Sequence, residues 1–364
     1  MESMPDPKTA LSRLCAGPFP ALENALLSRI PAEFGRDPGT EHVLLVPSNE
    51  LREHLLRRLA SRWEGSAAGA SILTLYDFAL RLLKHRGLFL EELPPARYAA
   101  ALSAAVRETY GDGGGDFTGI STTRGFLPAL SRTLSDLEEG WVGDGSLRAA
   151  QRKALAEGRA GNAARWAEWR RLAAAVERKV RALGGMTRRR IFQEAVAGFE
   201  QPGYPFRVTL YGFYDFTRLQ WTLVDALLSS GLLDEIYFPG TFSGDGVLDP
   251  AFAYAARSWD RLLRAFEGNV TLLEDAASPD VRAVRENLFS PGPPADPSMP
   301  VPFSILSAPH EEGEIRLAAR TVRRWLARGE MPEPLRCGGT VRWRVRDLED
   351  WCNQNRTKQE AARR

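Results

Sequence analysis

Short apolar runs alternate with amphipathic segments over the first 92 residues of the chain. Residues 43–46 (VLLV) form one such run and end at a polar turn, and residues 71–75 form a second. A continuous run of this length is typical of a strand that is buried on both faces of a parallel sheet. Leucines at helical spacing follow over residues 51–59, and a second amphipathic segment covers residues 78–83. The alternation predicts an α/β domain.

The pattern becomes helical between residues 93 and 200, where Ala, Leu, Arg and Glu dominate and strand signals are absent. Strand-like runs then return at residues 206–211, 234–238, 270–273 and 303–307. We therefore predict an α/β domain whose first part is residues 1–92, a helical insertion at 93–200, a second part of the α/β domain at 201–311, and a separate segment at 312–364.

The composition of the chain argues against several classes of protein and of functional site. The chain has 364 residues, of which 44% are hydrophobic, enough for a buried core. It has no apolar stretch of about 18 residues and no secretory signal, so we expect no membrane partner and a cytoplasmic location. Cys15, Cys337 and Cys352 lack the CxxC spacing of a zinc or redox site, and the four histidines are scattered. We predict no metal, no cofactor and no catalytic residues.

Charge is unevenly distributed. The 48 Lys and Arg residues exceed the 46 Asp and Glu residues by 2. Residues 316–364 contain 13 Lys or Arg and 6 Asp or Glu, a surplus of +7, whereas the rest of the chain has 35 and 40, which gives −5. The small total conceals a basic C-terminal segment that follows a mildly acidic body.

Three segments occur in an order that resembles the first motor domain of superfamily 1 DNA helicases. They are residues 43–48 with the helix after them, residues 74–78 (TLYDF) and residues 210–220 (LYGFYDFTRLQ). The resemblance implies a RecA-like, P-loop NTPase-type parallel sheet with a helical insertion. It also implies DNA contacts at residues of the turns that follow the first two strands: Ser48, Asn49 and Thr74.

The ATPase motifs of that family are missing. A phosphate loop needs backbone N–H donors, a Lys and a Ser or Thr hydroxyl, but Pro18 and Pro20 lie at the corresponding place and the chain has no Gly-Lys-Ser/Thr sequence. Gly212 and Phe213 stand where the family has an Asp-Glu pair, which leaves Asp215 and Gln220 as remnants. We predict no ATP hydrolysis.

An inactivated frame of this kind resembles the B subunit of AddAB-type helicase–nucleases and related RecB-family exonucleases. Residues 210–220 and residues 304–314 carry this likeness, which spans roughly residues 10–325. It implies a frame that binds DNA without hydrolysing ATP, beside an A-type helicase–nuclease subunit. The nuclease of that family is not carried over, because its acidic constellation and four-Cys set are not found in this sequence.

The basic C-terminal segment resembles the excisionase/MerR-like winged helix-turn-helix family. A basic helix ends at Gly329, residues 335–344 can form a hairpin that turns at residues 338–339, and another helix opens at Arg346. The likeness implies a winged-helix-like α+β segment with Trp325, Val341, Leu348 and Trp351 in its core. The implied DNA-binding residues lie on the recognition helix and the wing: Arg320, Thr321, Arg323, Arg324, Arg336, Arg342, Trp343 and Arg344.

Several alternatives stay open. The family's first helix is replaced here by residues of the helicase-like part, so the segment is either a partial DNA-binding domain or a basic, partly disordered tail. Trp166 and Trp169 either stack on bases or pack in a helical core, and residues 187–190 (TRRR) either grip phosphate or start a solvated helix. We predict a non-catalytic protein that binds double-stranded, end or forked DNA. The alternatives are a truncated subunit that acts with an ATPase/nuclease partner and a fusion without selected function.

Overall fold

Six strands of the chain form one sheet in which every neighbouring pair is parallel, in the order β3-β2-β4-β5-β1-β6. The predicted α/β class is confirmed. The computed structural model describes residues 13–33, 40–62, 70–111, 113–200, 206–242, 246–266, 269–274, 308, 310–337, 340–344, 346–348 and 350–351. The predicted strand at residues 303–307 and the predicted turn at 338–339 lie outside these ranges.

Helices and strands alternate in the first part; those over residues 41–85 follow the apolar pattern, whereas the strand and the helix over residues 13–33 were not predicted from it. Their bounds are β1 Arg13–Gly17, α1 Phe19–Glu33, β2 Glu41–Val46, α2 Asn49–Arg62, β3 Ala70–Thr74 and α3 Leu75–His85. The helical stretch follows with α4 Pro95–Tyr110, α5 Phe126–Glu139, α6 Asp144–Ala156, α7 Ala160–Ala182 and α8 Arg188–Ala197. The α/β part resumes with β4 Phe206–Tyr211, α9 Arg218–Ser229, β5 Leu233–Pro239, α10 Ala256–Ala265 and β6 Val270–Leu272.

Apolar residues on both faces of the sheet explain the continuous runs. In β2, Val43 and Leu45 belong to one buried cluster, which also contains residues of α3, α8, α9 and α10. Leu44 and Val46 belong to a second cluster, which contains residues of α1 and α2. Successive side chains of a strand point to opposite faces, so a strand covered by helices on both faces is apolar at every position.

Helices α4, α5 and α7 share a core of their own. It contains Leu102, Leu134, Leu172 and Val180, with Trp169 packed against it. Helix α8 is different, because its buried Ile191 and Phe192 belong to the sheet cluster. The change of packing partners along the chain therefore falls between α7 and α8.

Residues 294–364 form a compact unit separate from residues 1–293. Its described part contains α11 Glu311–Ala327 and the antiparallel strands β7 Leu335–Cys337 and β8 Thr340–Arg342, while residues 346–348 and 350–351 are helical. The basic helix and the strands of the hairpin thus lie where the sequence predicts them, and the helix ends at Ala327, two residues before the predicted Gly329. Within the described residues, no helix combines the length and apolar character needed to cross a membrane.

Candidate nucleic-acid interface

The side chains predicted to read DNA lie on the exposed part of α11. Arg320, Arg323 and Arg324 are all exposed and recur at helical spacing, so they form one ridge along the helix. Thr321 is half-buried, and its hydroxyl donates a 3.0 Å hydrogen bond to the Leu317 carbonyl one turn earlier. The ridge therefore presents guanidinium groups to solvent, while Thr321 bonds to its own helix.

The arginines at the ends of α11 differ from those of the ridge in their partners. Arg316 lies 2.5 Å from Glu312, and Arg328 lies 3.6 Å from Glu330. Among the residues that the structure describes, no carboxylate lies within ion-pairing distance of the three ridge arginines. The described residues thus leave the positive charge of the ridge without an ion-pair partner.

The end of α11 is closed by a left-handed residue and two indole rings. Gly329 has φ +66°, and the Glu330 N–H donates a 2.8 Å hydrogen bond to the Trp325 carbonyl. The Trp351 ring lies 6.2 Å from that of Trp325, and its N–H donates to the Glu330 carbonyl. Trp325, implied to be core, keeps 39% of its surface exposed.

The predicted wing is a two-stranded ribbon. Arg336 of β7 is the register partner of Val341, and Arg342 of β8 is that of Leu335. After β8, the half-buried Trp343 donates a 2.8 Å hydrogen bond from its indole N–H to the Pro332 carbonyl, and Arg344 is exposed. Trp343 therefore fastens the ribbon to the Pro-rich connection that precedes it.

The three predicted contact residues of the body lie at the carboxyl edge of the sheet. Val46 of β2 pairs with Thr74 of β3, so Ser48, Asn49 and Thr74 follow adjacent strands. The Ser48 hydroxyl accepts a 3.3 Å hydrogen bond from the Leu51 N–H, and Asn49 is exposed. Thr74 caps α3, because its hydroxyl accepts a 3.1 Å hydrogen bond from the Asp77 N–H. The hydroxyls of both Ser48 and Thr74 are therefore engaged in helix starts.

Apolar side chains surround the short connection between β1 and α1. Pro18 is the one residue between β1 and α1. The Phe19 ring packs edge-on against Tyr211 at 5.5 Å. Gly212 has φ +82°, and a Cβ there would lie 2.7 Å from Leu51 Cδ2. The connection is too short to cradle a phosphate, and side chains of α1 and α2 already contact the end of β4.

Two polar residues that follow β4, Asp215 and Gln220, form hydrogen bonds with nearby residues. The Thr217 N–H donates a 3.0 Å hydrogen bond to the Gln220 amide oxygen, and the Gln220 N–H donates a 3.2 Å bond to the Thr217 hydroxyl. Asp215 accepts 2.8 Å hydrogen bonds from the Phe216 N–H and the Ser258 hydroxyl. Gln220 thus completes a capping box, and Asp215 ties the turn to α10.

Two tyrosines near this edge were not foreseen from the sequence. Tyr214 and Tyr254 are 48% and 57% exposed, and their rings meet edge to face at 5.6 Å. The pair joins the turn after β4 to the turn before α10, residues that are 40 positions apart. A single tyrosine in a loop gives no sequence signal of such pairing.

No protein-family model matches the chain, and no curated protein matches it.

Proposed function

We propose that this chain is a non-catalytic DNA-binding protein, related to the B subunit of helicase–nucleases that act in double-strand-break repair. Its principal DNA contact is the ridge of Arg320, Arg323 and Arg324, and the β7–β8 ribbon lies against the phosphate backbone. Arginine suits both tasks, because its planar fork pairs with guanine edges and with phosphate.

The absence of carboxylate partners for these three arginines, within the described residues, is the observation that carries the proposal. An arginine that is already ion-paired has to break that pair before it binds phosphate, whereas an exposed and unpaired one releases only water and counterions. The +7 surplus over residues 316–364 attracts DNA to the same unit.

The α/β body is, in this proposal, a RecA-like frame that has lost its nucleotide chemistry. The single-residue connection at Pro18 and the packing of Phe19 on Tyr211 support this assignment. So does the absence of carboxylates at Gly212 and Phe213, because phosphoryl transfer needs an acidic group to hold magnesium. Ser48, Asn49 and Thr74 then serve as secondary DNA contacts at the carboxyl edge.

A helicase–nuclease A-type subunit is the protein partner that the proposal implies. The basis is the resemblance of residues 210–220 and 304–314 to the B subunit of such enzymes. The partner would supply the ATP hydrolysis and the strand cleavage for which this chain has no recognisable residues.

The test is the salt dependence of duplex binding by the full chain and by an Arg320→Ala/Arg323→Ala/Arg324→Ala variant. Each phosphate contact contributes about 0.9 to the slope of log K against log salt, so we expect the variant's slope to be flatter by about 2 to 3. Fluorescence anisotropy with a labelled duplex, between low and physiological salt, measures it.

A matched control variant distinguishes the effect of losing the ridge from the effect of lowering the net charge. Arg218, Arg257 and Arg264 are exposed in the body, so Arg218→Ala/Arg257→Ala/Arg264→Ala removes the same three charges elsewhere. We expect this control to bind duplex nearly as the parent chain does. Equal losses in both variants, or none in either, would show that the ridge is not the duplex-binding site.

A further inference from the structure

A second basic region lies in the helical hairpin formed by α6 and α7. Residues 148–171 contain seven Lys or Arg and two Asp or Glu, a surplus of +5 within a body whose overall balance is negative. One of the two acids, Glu168, is buried and accepts hydrogen bonds from the backbone N–H groups of Asp116 and Phe117. Asp144, the first residue of α6, pairs with Arg148 and Arg170, and the hairpin as a whole keeps a surplus of positive charge.

A cleft of about 420 Å³ opens between the two helices. Its α6 side is formed by Ala150 and Ala154, and its α7 side by Trp166 and Trp169. Small residues facing large flat ones leave a slot beside the indole rings. The volume of the cleft falls within the range of small-ligand sites in proteins, about 300–1,000 Å³.

The two tryptophans have different surroundings. Trp169 packs against the core of the helical layer and meets the Phe117 ring at 5.5 Å, which confirms the core interpretation for this residue. Trp166 is partly exposed, and no ring among the described residues is paired with it. One indole thus packs in the core of the helical layer, and the other lines the cleft and keeps part of its surface exposed.

The rim of the cleft combines cations with an amide. Lys153 is exposed and has no ion-pair partner among the described residues. Arg165 lies 2.8 Å from Asp116, and Arg159 contacts Glu157, in both cases at the protein surface where such pairs exchange readily. Asn162 also lines the cleft and offers both a donor and an acceptor.

We propose that the α6–α7 cleft binds single-stranded nucleic acid, with one base stacked on Trp166. The Asn162 amide faces the edge of that base, and Lys153, Arg159 and Arg165 contact the flanking phosphates. A flat ring with an anionic backbone matches an indole slot that has a cationic rim. This inference shares its ligand class with the proposed function and rests on it in that respect, but it uses a different surface and a different form of nucleic acid.

The experiment measures binding of a fluorescein-labelled dT15 oligonucleotide to the full chain by fluorescence anisotropy, a readout that does not depend on the tryptophan being replaced. Base–aromatic stacking is sequence-tolerant, so Trp166→Ala should weaken dT15 binding about 5- to 150-fold. Trp166→Phe should recover part of the affinity, because it keeps a ring. Phe89→Ala removes a more exposed aromatic outside the hairpin (Phe89 is 77% exposed) and should leave the affinity unchanged.

Charge reversal gives an independent readout. Lys153→Glu should flatten the salt slope of dT15 binding by about 0.7 for each phosphate that the variant no longer neutralises. Lys84→Glu makes the same change on an exposed position of α3 and should have little effect. A slope that changes equally in both variants would overturn the proposed position of the strand.

The remaining outcomes separate this proposal from the proposed function. The Arg320→Ala/Arg323→Ala/Arg324→Ala variant should lose duplex affinity yet keep dT15 binding in the cleft. If that variant still binds duplex normally while Trp166→Ala no longer binds dT15, the proposed function fails and the cleft stands. If Trp166→Ala binds dT15 as the parent chain does, or if thymidine monophosphate binds as tightly as dT15, the strand-binding cleft is overturned.

Discussion

The carboxylate of Glu138 in α5 accepts a 3.4 Å hydrogen bond from the backbone N–H of Arg189 in the first turn of α8. Glu138 thus joins the helical layer to a helix whose core residues pack on the sheet. The pKa of Glu138 is raised to about 7, mainly by burial and also by the nearby Glu92 carboxylate, while the Arg189 and Arg188 N–H groups and the Arg188 guanidinium act in the opposite direction. This junction therefore carries a carboxyl group that changes charge near neutral pH.

We expect stability to fall as pH rises through this range. Because the pKa of Glu138 is about 7 in the folded chain and 4.5 as the ordinary value, the folded state holds a proton that the unfolded state releases. The loss between pH 4.5 and 7 amounts to about 3 kcal/mol at most. Glu138→Gln keeps an acceptor for Arg189 and should remove this slope in urea unfolding across pH.

Glu177→Gln provides the control for that measurement. Glu177 is exposed on α7 and pairs with Arg181 one turn away. Its replacement should leave the pH profile as it is in the parent chain. A Glu138→Gln profile that still falls between pH 4.5 and 7 would assign the slope to other groups.

The Thr217–Gln220 capping box should matter for stability and not for DNA binding. Thr217→Val removes the acceptor of the Gln220 N–H and should cost about 1 kcal/mol in the free energy of unfolding. Thr222→Val on the same helix removes a hydroxyl that donates to the Arg218 carbonyl, and should cost less than about 0.5 kcal/mol. Urea denaturation compares the two. Equal costs would mean that the box is not the stabilising feature.

ATP with magnesium should not stabilise the chain. A site occupied at a ligand concentration one hundred times its Kd would add about 2.7 kcal/mol to the free energy of unfolding. The single-residue connection at Pro18 and the rings of Phe19 and Tyr211 exclude such a site at the end of β1. We therefore expect identical unfolding curves with and without millimolar ATP. A reproducible shift in their midpoint would refute the proposed loss of nucleotide chemistry.

Gly329→Ala should loosen the end of α11. Gly329 has φ +66° and open space around it, so the cost is backbone strain alone, about 1 kcal/mol. Amide hydrogen exchange at Glu330, whose N–H is bonded to the Trp325 carbonyl, reports this loosening. Gly145→Ala inside α6 also meets open space but has a helical backbone, and should instead stabilise by about 0.4 to 1 kcal/mol.

Strands with continuous apolar runs could be predicted from the sequence, and β1 could not. Residues 43–46 are apolar at every position because both faces of the sheet are covered, and that pattern is local. Two prolines close to β1 are typical of a loop. Pro18 instead directly precedes α1, and Pro20 lies in its first turn, where the N–H that proline lacks would have no helical partner. The same prolines thus support two local interpretations, and tertiary packing selects the helix.

The sequence predicts which elements carry the site residues better than it predicts the partners of those residues. The sequence places Arg320, Arg323 and Arg324 on one helix, because helical spacing is a local property. It does not reveal that Arg316 and Arg328 are paired whereas these three have no carboxylate partner among the described residues. It also left the two interpretations of Trp166 and Trp169 open, because the difference depends on the small residues of α6 that face them.

The position of β1 in the sheet has a consequence for synthesis. Its register partners in β5, such as Ile236 opposite Leu14, are 222 residues away, and those in β6 are farther still. At about 5–20 residues per second, a ribosome needs about 10–45 s to make them. During that interval the nascent chain carries an apolar strand with two open edges, one on each side, which is a binding site for chaperones and a starting point for aggregation.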